Sequence, residues 1–258
     1  MNKKAKIKIW IQASMIAVFS LFLATNFTQN YDVPKDTEQS IENTVTDIDG
    51  NVYATVIIGN QVWMAENLKT TKYNDGTDIP NITDAHEWGH PSLDAYCWYD
   101  NDSNNGNIYG ALYKWQAVNI GKLCPVGWHV PTDEEWIELE NYLADNGYNY
   151  DGSTGGGCVK IAKALSNDSG WRNSTSEGAV GNADFPEYRN KSGFAALPAG
   201  TRYSNGNFNN IGNYSFWWSA TEYCIYNAWL KGVGSDFSDV ESFHYNKHNG
   251  FSVRCVRD

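Results

Sequence analysis

Two hydrophobic periodicities divide the chain. Val52-Tyr53-Ala54-Thr55-Val56-Ile57-Ile58 is a β-rich run, broken by Gly59-Asn60 and resumed by Gln61-Val62-Trp63-Met64. Asp49-Gly50-Asn51 supplies a turn on the other side, so this stretch predicts a hairpin or the start of a meander. From Asp133 to about Asp145 the spacing becomes helical, with Trp136, Leu139 and Leu143 at i, i+3 and i+7. Thr132 and Glu135 predict a capping box. Asp133, Glu134 and Glu135 suit the positive end of the helix dipole, and Asn146-Gly147 closes the helix. A second helix is predicted over Tyr109 to about Val118, and a short one over Val159 to Leu165. After Gly193 the pattern is short strands and turns: a hairpin turn at Asn205-Gly206, a buried strand over Ser215 to Glu222, and a turn at Lys247-His248-Asn249-Gly250 leading into a last strand, Phe251 to Val256. The order of hairpin, helices and antiparallel strands predicts an α+β fold.

The N-terminus follows a different pattern. Lys3, Lys4, Lys6 and Lys8 precede an apolar run from Ile9 to Ala24, and polar residues follow. This is the layout of a secretory signal. Gln12, Ser14 and Ser20 interrupt the run, and no Ala-x-Ala site ends it, so residues 1–26 are read as a signal peptide or an uncleaved N-terminal anchor. Residues 27–46 are polar and read as a flexible linker, which leaves 47–258 as the globular domain. The sequence has 258 residues, with 30 acidic and 19 basic side chains and a net charge of −11. Without the four N-terminal lysines the balance falls to −15. Such a surface repels phosphate backbones and anionic lipids, so nucleic acid is not an expected partner, and a membrane is expected only through the N-terminal segment. The location expected is extracytoplasmic: secreted or at the cell surface.

Few residues form a recognisable chemical constellation. Asp47, Asp49 and Asn51 lack the sixth-position Gly and twelfth-position Glu of a calcium-binding EF-hand loop, so a plain turn is expected. His86-Glu87-Trp88-Gly89-His90 satisfies the H-E-x-x-H zinc-protease pattern, which works only on a helix. Pro80, Gly89 and Pro91 leave room for one helical turn at most. His86 and His90 are therefore weak metal candidates on a solvated loop, and no metal or other cofactor is expected. His244 and His248 flank a predicted turn and read as surface residues. No nucleophile-elbow, phosphate-loop or dinucleotide glycine motif occurs. The five cysteines, Cys97, Cys124, Cys158, Cys224 and Cys255, show no neighbouring base that would make one catalytic. Export makes disulfides chemically permissible, and an odd count leaves at least one thiol unpaired or paired between molecules. Aromatics are abundant, with 11 Trp, 16 Tyr and 10 Phe. Beside Asn and Asp they suit flat polar ligands, but a loop-rich fold also needs large rings to fill its core.

Seven ordered blocks, Asp47–Tyr53, Gln61–Leu68, Tyr96–Asp102, Cys124–Pro131, Gly193–Gly200, Trp218–Glu222 and Gly250–Asp258, resemble the Fibrobacter succinogenes major paralogous domain. The resemblance covers about Asp47 to Asp258. It implies a C-type-lectin-like, loop-rich fold of short antiparallel strands with about two helices, distantly similar to formylglycine-generating enzymes and phage receptor-binding variable proteins. It also implies a secreted or surface-attached bacterial protein, and it brings no activity with it. Most of Trp63, Trp98, Trp128, Trp136, Trp217 and Trp218 lie in such blocks as core residues. In lectin-like folds one bridge ties the start of a helix to the last strand, which assigns Cys124 to Cys255 and leaves Cys97, Cys158 and Cys224 unassigned. The calcium-binding triplets of sugar-binding lectins are absent, as is any counterpart of the paired cysteines of formylglycine-generating enzymes. The C-terminal region forms the binding face of the phage proteins, so Tyr223, Tyr226, Trp229, Phe237, Tyr245 and Asn246 are candidates to border a ligand face; irregular solvated loops are the alternative. The function expected is an exported, non-enzymatic binding or adhesion module for a surface glycan or protein. The alternatives are an enzyme, formylglycine-generating-like or a zinc hydrolase through His86, and a structural surface component.

Overall fold

The computed structural model of the chain describes residues 43–258. The predicted signal segment and linker residues 27–42 lie outside the described residues. Thr44–Thr46, assigned to the linker from sequence, forms strand β1. Strand β2 (Val52–Ile58) and strand β3 (Gln61–Met64) make the predicted hairpin around Gly59-Asn60, with Gly59 at φ +64°. Helix α1 (Ala85–Trp88), strand β4 (Tyr96–Cys97), helix α2 (Ser103–Tyr109), strand β5 (Leu112–Lys114), helix α3 (Trp115–Asn119) and strand β6 (Trp128–His129) follow. Helix α4 spans Asp133–Asp145 and helix α5 spans Ala162–Leu165. The C-terminal third holds β7 (Ala199–Arg202), β8 (Phe208–Ile211), β9 (Tyr214–Glu222), β10 (Asn227–Gly234), β11 (Glu241–Asn246), β12 (Gly250–Phe251) and β13 (Val256–Arg257).

These strands form two sheets, one of five strands ordered β1-β2-β3-β13-β6 and one of eight ordered β11-β10-β9-β7-β12-β5-β4 with β8 attached to β7. That arrangement corrects the expected α+β, C-type-lectin-like fold. The architecture is β-rich, and among the described residues the longest helix has 13 residues and no other exceeds seven. Part of the reason is local. The helix predicted over Tyr109 to Val118 does not form as one element, because Gly110 at φ +78° ends α2 and the next residues pair as β5 with β12 and β4. The predicted last strand is also divided. Phe251 pairs in the eight-stranded sheet, where Ser252 also bridges Trp217 of β9, and Val256 pairs in the five-stranded one, so residues 253–255 cross between them. The helix predicted over Val159 to Leu165 becomes a 3-10 turn, Gly157–Lys160, followed by the single turn of α5.

Helix α4 forms as its sequence dictates. Thr132 Oγ1 accepts the Glu135 N–H, and the Glu135 carboxylate accepts the Thr132 N–H. Trp136, Leu139 and Leu143 are fully buried against Trp63, Phe194 and Trp217. Lys231 of β10 joins the helix to the larger sheet, with its ammonium 3.1 Å from Glu140 Oε1 and 3.3 Å from Asp133 Oδ1. Four of the six tryptophans expected in the core, Trp63, Trp136, Trp217 and Trp218, are at most 1% exposed, whereas Trp98 and Trp128 are half-buried.

The assigned disulfide joins Cys124, upstream of α4, to Cys255 on the crossing segment, with a Cα–Cα distance of 6.0 Å. Cys97, Cys158 and Cys224 are free. Replacing Cys124 and Cys255 by Ser is expected to lower unfolding free energy by about 4–5 kcal/mol, read from urea titrations of both proteins, because the bridge closes a loop of 131 residues.

His129 of β6 lies between Glu135 Oε1 at 2.8 Å and Asp258 Oδ1 at 2.6 Å, one carboxylate on each ring nitrogen. Partial burial opposes the charged ring, but both carboxylates favour it, and the net shift of the pKa is upward. A neutral imidazole has a single N–H, so only the imidazolium can donate to both. The stabilisation is therefore complete below the ordinary histidine value of about 6.5 and is lost as pH rises through the raised folded value. His129→Gln is expected to cost up to about 1 kcal/mol at pH 6, after allowing for solvent screening of a partly exposed group, and less at pH 9. Urea titrations at the two pH values measure the difference, and an equal cost at both would remove the ion pairs as its cause.

Candidate ligand-binding site

The six candidate face residues do not form one surface. Tyr223 follows β9 at the β9–β10 turn, and its ring stacks on His244 with centroids 3.9 Å apart and planes 3° apart. Trp229 pairs with His244 across the β10–β11 ladder, and its ring stands edge-on to both Tyr223, at 5.0 Å, and His244, at 5.8 Å. These three rings form a cluster at the free edge of the eight-stranded sheet. Tyr226 sits on the turn itself, 69% exposed beside Ile225 at 75%. Asn246 pairs with Asn227 at the same end, and its Oδ1 accepts the His248 N–H.

Tyr245 belongs to the opposite face, because neighbouring residues of a strand alternate sides. Its ring packs near Phe216, Phe243 and Phe251. Phe237 lies past the other end of β10, against Tyr214 at 6.2 Å. The strand ladder thus gathers Tyr223 and Trp229 with His244, keeps Tyr226 and Asn246 nearby, and separates Tyr245 and Phe237. His244 is the member that sequence reasoning missed. Only the cross-strand register reveals it.

The turn bearing these rings is anchored from beneath. The buried Lys247 ammonium binds Glu222 Oε1 and donates to the Ile225 carbonyl at 3.2 Å, and it lies 4.5 Å from the Trp115 ring centre. Thr221 Oγ1 accepts the Asp133 N–H at 3.0 Å and ties the end of β9 to α4.

The H-E-x-x-H segment lies elsewhere. His86 is inside α1, a helix of four residues, while His90 follows the C-cap Gly89. The two rings therefore do not share a helical face in the manner of a zinc protease. Among the described residues no group of three or more His, Cys, Asp or Glu is placed to hold a metal. The segment instead borders an open concavity of about 880 Å³ with Leu93, Ser204 and Asn205.

Two buried cations hold this segment in place. Lys114 donates to the carbonyls of Trp88, at 3.0 Å, and His90, at 2.6 Å. Arg202 donates to the carbonyls of Ile82, Thr83 and Gly206, with its guanidinium 4.4 Å from the Trp88 ring. Burial and the neighbouring Arg202 charge lower the Lys114 pKa to about 8. Burial and the Lys114 charge likewise hold His248 below its ordinary value. The one fully buried thiol, Cys97, is pushed up to about 12 by burial, which suppresses the thiolate that nucleophilic chemistry requires.

Residues 56–257 match the Fibrobacter succinogenes major domain, and the chain belongs to that family. No curated protein and no solved structure matches the chain.

Arg202→Met is expected to cost about 3 kcal/mol, because three loop carbonyls lose charge-assisted bonds inside the protein. Amide hydrogen exchange should accelerate across residues 82–90 and leave α4 protected. Unchanged exchange in that segment would show that Arg202 does not hold it.

Proposed function

We propose that this protein is an exported, non-enzymatic binding module of the bacterial cell surface, and that the aromatic end of the β9–β11 hairpins contacts a glycan or protein ligand. The observation that carries this reading is the Tyr223–Trp229–His244 cluster with Tyr226 beside it. Large rings normally go to the core or find partners. Here Tyr223 is 48% and Tyr226 is 69% exposed, on a turn that Lys247 anchors through Glu222 and the Ile225 carbonyl. A preorganised aromatic surface binds with less loss of conformational entropy than a mobile one. The N-terminal lysines followed by an apolar run support export, and the Cys124–Cys255 bridge suits an oxidising compartment.

A glycan and protein array probed with the purified protein tests the proposal. A ligand found there is expected to lose at least about thirtyfold in affinity on Tyr223→Ala or Trp229→Ala, the size of an interface hot spot. Tyr245→Ala should leave that affinity within a few-fold, because its ring serves the opposite face. Binding that survives both Tyr223→Ala and Trp229→Ala unchanged excludes this end as the ligand face.

A further inference from the structure

Two neighbouring chambers, remote in sequence from the aromatic turn, lie beside a buried arginine. The smaller, about 130 Å³, is bordered by Arg254, Glu66 and Ala195; the larger, about 230 Å³, is bordered by Trp98, Asp49 and Asn51. Lys69 and Asn107 line both.

Arg254 is 1% exposed. One terminal nitrogen donates to the Phe194 carbonyl and the other to Asn67 Oδ1 at 3.0 Å, while Nε has no hydrogen-bond partner. Its guanidinium lies 3.9 Å from the Phe194 ring centre. Among the described residues no carboxylate comes within ion-pair distance of it; burial lowers its pKa to about 9, with the Glu66 charge acting in the opposite direction. Glu66 borders the same chamber, but its side chain is 47% exposed and lies 3.6 Å from Lys69. A buried cation without an anion is costly, and an entering carboxylate would offset that cost.

The larger chamber has different chemistry. Trp98 packs edge-on to Tyr96 at 5.2 Å, and its six-membered ring lies over Gly106, where any Cβ would come within 2.3 Å. Only glycine permits that approach. Asp49 Oδ2 accepts the Thr71 N–H, the Thr71 hydroxyl and the Thr70 hydroxyl, leaving Oδ1 with Lys72 at 3.9 Å. Burial alone would raise the Asp49 pKa, but these bonds outweigh it and keep the carboxylate charged. A fixed indole beside an open carboxylate oxygen and amide side chains suits a ring that carries hydroxyl groups.

We propose that the two chambers form one site for an acidic saccharide, with its carboxylate in the smaller chamber against Arg254 and its ring beside Trp98 in the larger. This site does not depend on the aromatic turn.

Titration of the full-length protein with glucuronate, methyl glucoside and acetate, followed by calorimetry or NMR, tests the proposal. Glucuronate is expected to bind at least about tenfold more tightly than either of the other two, since methyl glucoside lacks the charge-assisted bonds and acetate lacks the ring. Trp98→Ala, with its melting temperature checked, should weaken glucuronate about tenfold, and Tyr223→Ala should not affect it. The wild-type comparison needs no substitution in the core, so the result stands even if Arg254→Lys fails to fold. Equal binding of methyl glucoside removes Arg254 as the reader of the ligand. Equal binding of acetate, with no effect of Trp98→Ala, reduces the site to one for a small anion and overturns the proposal, as does the absence of glucuronate binding at tens of millimolar.

Discussion

The structure depends most on how one short segment passes between its two sheets. Residues 253–255 leave the eight-stranded sheet after Ser252 and enter the five-stranded sheet at β13. Backbone bonds from Met64 N–H to the Cys255 carbonyl and from Leu68 N–H to the Val253 carbonyl hold this crossing against the segment after β3. Asn67 completes the junction. Its Oδ1 accepts both the Trp217 indole N–H at 2.8 Å and Arg254 at 3.0 Å, while its amide donates to the Tyr109 carbonyl and Ser252 Oγ. Each group is buried, so losing one leaves the others unsatisfied in a low-dielectric interior, where the penalty is largest. The Cys124–Cys255 bridge fastens the same crossing to the approach of α4.

Elsewhere the protein solves a related problem by a common means. Long irregular segments carry many carbonyls that cannot pair in a ladder, and buried cations collect them. Lys114 and Arg202 hold the carbonyls on either side of and within α1. Lys163 takes the carbonyls of Asn182 and Asp184, and the half-buried Arg189 takes those of Val180 and Asn182. Several of these cations also lie over aromatic rings, as Arg202 does over Trp88 and Phe208. An arginine or lysine presents several donors from one site, whereas a loop carbonyl needs only one. This pairing explains how a chain with a net charge of −11 keeps positive charge inside while its exterior remains acidic.

Local elements with a complete chemical signature were legible in the sequence. The β2–β3 hairpin followed from Gly59-Asn60, and α4 followed from its capping box and apolar stripe. The Cys124–Cys255 pairing was implied by family resemblance, since five cysteines alone permit several pairings. The resemblance was less informative about architecture, where the two sheets replaced the expected helix-plus-strand arrangement. Leu112–Lys114 read as helical because short apolar runs are ambiguous, and pairing with β12, distant in sequence, decides the matter. The crossing at residues 253–255 was hidden for the same reason. The proposed face was divided by strand alternation: Tyr245 directly follows His244 in β11, yet their rings serve opposite sides.

The distribution of aromatic rings sharpens the functional argument. Trp63, Trp88, Trp136, Trp217 and Trp218 are fully buried and account for much of the core volume. A need to fill a loop-rich interior therefore explains the high aromatic content without invoking a ligand. It does not explain Tyr223 and Tyr226, which lie on a turn where their exposure contributes little to the core. Their neighbour Lys247 is buried and bound to Glu222 and to the Ile225 carbonyl, which anchors the turn. Stability accounts for the buried rings but not for the exposed Tyr223 and Tyr226.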